Sequence, residues 1–150
     1  MAVTLTVPNE FKLELGKGSI AFQTGTFKLI LMATGFVFDQ DTDGQYQDIS
    51  ADEITSAGGY TVGGQVITAD DAWQQDNTNN KAFITWLDET FSASGADFDQ
   101  FCAGVIIYTS DATTDATDFV VGCIDLGTNI DVTDGNDFDF QNLGYDENDS

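Results

Sequence analysis

Apolar residues in this 150-residue chain come in short runs closed by turn-forming residues, and no segment sustains a helical period. Such a pattern predicts strands joined by turns, because period-2 alternation fits a pleated strand and Gly, Asp, Asn and Ser clusters end each run. The clearest run is 26–33, Thr-Phe-Lys-Leu-Ile-Leu-Met-Ala, apolar almost throughout as in a central strand covered on both faces. Gly59-Tyr60-Thr61-Val62 and Gln65-Val66-Ile67 flank Gly63-Gly64 and read as a strand interrupted by a bulge or a close backbone approach. Residues 82–87, 102–108, 119–124 and 137–143 supply further strands. Pairing Thr109 with Asp118 across the 109–118 loop sets Ile107 opposite Val120 and Val105 opposite Gly122. Residues 35–58 form a long polar connection with one helical turn at 50–54, and 76–80 are a turn by composition. Residues 10–15 are either a short helix, capped by Asn9 and stopped by Gly16, or a strand in which Phe11, Leu13 and Leu15 alternate.

The expected fold is therefore all-β. It is a β-sandwich or barrel-like domain of short antiparallel strands, with an extended N-terminal arm and at most one or two short helices. Residues 1–8 are the arm, ending at Pro8, the only proline; 9–143 are a single domain; 144–150 are an acidic tail.

Charge limits the partners. Twenty-six acidic side chains face four lysines (Lys12, Lys17, Lys28, Lys81), with no arginine or histidine, for a net charge of −22. Nucleic-acid binding needs a basic footprint to displace counterions from phosphate, and none can be drawn; anionic membranes are excluded on the same ground. No apolar run approaches a membrane span, and Met1-Ala2-Val3-Thr4 opens no signal peptide. The bland reading of the acidity is a solvated exterior, which keeps particles dispersed at some cost in self-repulsion.

Catalysis is not expected. Without histidine there is no Ser-His-Asp or Cys-His pair, and without arginine or a P-loop no phosphoryl clamp. Carboxylate pairs arise by chance among twenty-one aspartates. Cys102 and Cys123 fall in apolar segments and read as buried free thiols, with a disulfide or metal ligation as alternatives. Asp39-Gln40-Asp41-Thr42-Asp43-Gly44 matches the opening of a calcium loop, making Asp39, Asp41 and Asp43 the candidate metal ligands. Its twelfth position, where a bidentate glutamate is required, is Ser50, so a solvated turn is the simpler reading and no cofactor is expected. Trp73, Trp86, Phe91, Phe98 and Phe101 suit a core better than a sugar-binding surface.

The order of segments carries more than any one site. Asn9-Glu10-Phe11-Lys12 is followed by Thr26-Phe27-Lys28-Leu29-Ile30-Leu31-Met32, then Gly59-Tyr60-Thr61 with Gly63-Gly64. Gly104-Val105-Ile106-Ile107-Tyr108, Val121-Gly122-Cys123-Ile124-Asp125-Leu126-Gly127 and Phe138-Asp139-Phe140-Gln141 complete the series. Over residues 9–143 this order resembles a family of small virion structural proteins of tailed bacteriophages. Phe91 stands where that family usually has a tryptophan, and Ala103 where it commonly has an arginine. The resemblance implies a capsid decoration (cement) protein, a homotrimer on the exterior of the virion, made in the host cytoplasm and bound to the major capsid protein. A tail-associated structural or receptor-binding protein on the same scaffold is the alternative, and a calcium- or carbohydrate-binding module a third reading. On this reading the arm, with Val3, Leu5 and Val7, adds a strand to a neighbouring sheet, and Trp73 and Trp86 are candidate interface anchors.

Overall fold

A computed structural model describes residues 4–111 and 113–148. Its centre is strand β1 (Thr26–Ala33), hydrogen-bonded on one side to β2 (Gln65–Ile67) and on the other to β6 (Phe101–Thr109), which pairs in turn with β7 (Phe119–Ile130). All three pairings are antiparallel. Successive side chains of β1 point to opposite faces. Phe27, Leu29 and Leu31 join one buried cluster, and Ile30 and Met32 join another. Both faces of the sheet are thus covered, which accounts for the nearly continuous apolar run of β1.

The larger cluster is roofed by a second layer made of β3 (Gln74–Asp76), β4 (Lys81–Thr85) and β9 (Gly144–Asn148), and of β5 (Glu89–Ser92) with β8 (Asp137–Phe140). Phe91 and Phe140 meet edge to face beneath that roof, 5.9 Å between ring centroids. A Cβ added at Gly104 would lie 2.7 Å from the Phe140 ring, so the layers touch where β6 has no side chain. The domain is an all-β sandwich with three antiparallel sheets among the described residues.

The opposite face is covered by the 34–54 connection. Phe36, Phe38 and Tyr46 pack against Ile30, Met32, Val105 and Ile107, and Ile49 is buried with them. Helix α2 (Tyr46–Ile49) and a 3-10 turn (Ser50–Asp52) lie here, so the helical turn expected at 50–54 starts earlier.

Helix α1 (Asn9–Lys17) settles the choice left open at 10–15. Phe11 is fully buried while Leu13 is 56% exposed, the pattern of a helix with one apolar side rather than an alternating strand. Its ends differ from the expected ones. Pro8 holds the N-cap position, the Asn9 side-chain amide donates instead to Asp41, and the helix runs past Gly16 to a left-handed Gly18.

The β6–β7 register matches at Ile107 opposite Val120 but not at Val105, which faces Cys123 rather than Gly122. A bulge between Ile106 and Ile107 leaves Val121 without an opposite residue and shifts the remainder by one. Residues 144–148 correct the expected tail: they are strand β9, paired residue by residue with β4. Tyr145 explains this, because its ring is buried against Phe11 and Phe22 while Asp146 and Glu147 remain exposed. Residues 59–62 are not a strand; Tyr60 instead ties the segment to the core. No helix among the described residues is long and apolar enough to cross a membrane.

Candidate functional site

The Asp39–Gly44 stretch is a turn built from its own carboxylates. Asp39 Oδ1 accepts the Asp41 amide at 2.9 Å, and Asp43 Oδ2 accepts the Asp39 amide at 2.8 Å. Asp41 Oδ1 accepts the Asn9 side-chain amide at 2.6 Å. The loop is then stitched into the fold, since the Val120 amide donates to the Gly44 carbonyl. Asx-type bonds of this kind hold a loop without an ion. Among the described residues, Asp39, Asp41 and Asp43 included, no group of three or more acidic or thiol side chains is gathered as a set that could hold a metal ion.

The expected interface residues divide. Val3 lies outside the described residues. Trp86 is a core residue, 3% exposed, with its ring 5.3 Å from Phe27 and 6.1 Å from Phe22. Its indole nitrogen is buried and finds no hydrogen-bond partner among the described residues. Such a ring offers nothing to a partner without opening the core. Trp73 is half-buried and stands edge-on to Phe22 at 5.0 Å, closing the same aromatic cluster from outside. Leu5 and Val7 are half-buried against the domain itself.

The arm docks on the outer edge of β7. Thr6 and Cys123 exchange both backbone hydrogen bonds at 2.9 Å, extending the central sheet by one short antiparallel pair. Leu5 covers Gly122: a Cβ at that glycine would lie 2.4 Å from Leu5 Cγ. Gly122 thus forms a notch that fits one branched apolar side chain. Two of the open spaces along the arm lie toward β9 and α1. One, of about 230 Å³, separates Thr4, Leu5 and Val7 from Gly144, Tyr145 and Asp146. The other, of about 780 Å³, lies between Val7, α1 and the β4–β9 pair, with Lys12, Asp76, Lys81 and Asp146 on its walls.

A polar centre that the sequence did not signal surrounds Glu53, a buried carboxylate. It accepts hydrogen bonds from the Tyr46 hydroxyl, the Tyr60 hydroxyl and the Gly63 amide. The Tyr60 oxygen in turn accepts the Leu31 amide at 3.0 Å, so the carboxylate is linked to β1. Burial and the neighbouring Glu53 charge push both phenols above their ordinary range and keep them protonated donors. The Gly59-Tyr60-Thr61 and Gly63-Gly64 blocks lie beside this centre, but neither they nor the acid 10 residues before Gly63 marked it in the sequence.

Cys102 and Cys123 are free thiols. Cys102 Sγ donates to the Ala33 carbonyl at 3.2 Å. Burial, then the charge of Asp125, pushes the Cys123 thiol up to about 12, leaving it unreactive at neutral pH.

No family model, curated protein or solved structure matches the chain.

Proposed function

We propose that this chain is a virion structural protein, a decoration subunit bound to the outer surface of a tailed bacteriophage head. The order of sequence blocks over residues 9–143 supports the family reading. The observation that carries the choice of an exterior position is the distribution of acid. Among the described residues only Glu53 and Asp118 are buried carboxylates, so a chain of net charge −22 presents a polyanionic shell around an apolar sandwich. A shell of that sign is repelled by packaged DNA and by neighbouring particles, which suits the outside of a capsid and not its lumen.

The partner on this reading is the major capsid protein, and the chain acts by binding and assembly rather than by turnover. Binding to intact particles tests it. Antibody fragments raised against the purified chain should decorate heads uniformly in electron micrographs of unbroken virions. Label confined to the tail would move the protein to a tail-associated role, and label appearing only on burst heads would overturn the exterior position.

A further inference from the structure

We infer that residues 4–6 form an exchangeable strand whose acceptor, the outer edge of β7 with its Gly122 notch, takes the same segment from a second copy of this chain. The acceptor is specific in two ways. The Cys123 backbone offers one donor and one acceptor to an incoming strand, and Thr6 satisfies both. The missing side chain at Gly122 leaves room for one apolar group, and Leu5 fills it. These contacts are the same whichever copy supplies the segment, which is the condition for exchange between protomers.

Three features favour a segment that leaves its own body. Its docking consists of one bridging pair and one half-buried side chain, so release disturbs little of the core. Its base is held separately: Gln40 Nε2 donates to the Val7 carbonyl at 2.9 Å, and the Asn9 amide donates to Gln40 O at 3.0 Å. Residues 4–6 can therefore swing about Val7 without loosening Pro8 or α1. On the side facing β9 the strand leaves about 230 Å³ unfilled, so it is not locked in from that flank.

Charge selects this segment among the surfaces available. Residues 1–9 carry no acidic side chain, and the carboxylates begin at Glu10. Two bodies of charge −22 repel when their faces approach, whereas an uncharged strand reaching across joins them with the acidic faces apart.

This inference rests on the arm's part in the virion reading and deepens it by naming a second copy of the chain as the acceptor; it is read on the isolated chain, so either can fail alone. The test is the mass of the purified protein by light scattering over a range of concentrations in high salt. The unaltered chain should run as a multiple of 16.2 kDa. Leu5→Asp, which cannot fill the notch, and a deletion of residues 1–7 should both run at the single-chain mass with unchanged circular dichroism. Leu5→Met should keep the multimer. A single-chain mass for the unaltered protein at every concentration would overturn the inference, as would a multimer that survives both changes.

Discussion

At the scale of single residues the fold turns on Glu53. One carboxylate holds Tyr46 from the covering connection, Tyr60 from the following loop and the Gly63 amide, and through Tyr60 it reaches Leu31 in β1. Hydrogen bonds to a charged, buried acceptor are among the stronger ones, and their removal leaves donors stranded. Glu53→Ala should lower stability by about 3 kcal/mol in urea denaturation. A loss within the range of an ordinary surface substitution would contradict that role. The same phenols give a pH signature. Tyr46 and Tyr60 ionise in the unfolded chain near pH 10 but hold their protons higher when folded. Cys123 behaves alike, rising from an ordinary 9.0 to about 12. Above the unfolded values the native state binds more protons than the unfolded one, so stability falls as pH rises. Urea midpoints should be level from about pH 7 to about pH 9 and then decline steadily. A flat profile through pH 11 would show that these groups titrate alike in both states.

At the scale of elements, close backbone approaches fix where strands can lie. Gly64 has φ +77°, and a Cβ there would stand 2.3 Å from the Leu29 carbonyl oxygen. Gly64→Ala combines an unfavourable backbone with a clash against β1 and should cost about 2 kcal/mol or more. A thermal melt unchanged by the substitution would mean that β2 can shift away from β1. The glycine pair was legible in the sequence as a bulge or a close approach, and β1, β6 and the first half of β7 were legible as apolar runs long enough to read. What was not legible follows from the same physics. β9 carries Asp146 and Glu147, and only Tyr145 marks its buried side, too little for an alternating pattern. β5 has one buried residue, Phe91, between polar neighbours. Residues 35–58 read as a polar connection because Phe36, Phe38, Tyr46 and Ile49 are scattered, although together they roof one face of the sheet. In the calcium-like stretch, Asp39 and Asp43 accept backbone amides of their own turn, a local geometry that residue spacing does not reveal.

At the scale of the whole molecule, acidity bears on stability. Among the described residues only Lys17–Glu14 and Lys81–Asp146 form ion pairs, so most carboxylates repel one another without local relief. Salt screens that repulsion, with a Debye length of about 10 Å at 0.1 M and about 3 Å at 1 M. The melting temperature should therefore rise with added sodium chloride. Mild acid should act in the same direction. Burial raises Asp118 and Glu89, so the folded chain takes up these protons before the unfolded one, and stability grows as pH falls through their folded values. Asp99 and Asp76 are held low by hydrogen bonds from Thr55 and Asn79, and their contribution is lost only at lower pH. Melting temperatures at low ionic strength should peak on the acid side of neutrality; a decline on leaving pH 7 in that direction would contradict the dominance of self-repulsion.

The central claim, that this polyanionic sandwich coats a phage head, is tested most directly by its copy number relative to the major capsid protein in purified particles. Quantitative mass spectrometry should return a ratio near one to one. A handful of copies per particle, or none, would contradict a decoration protein.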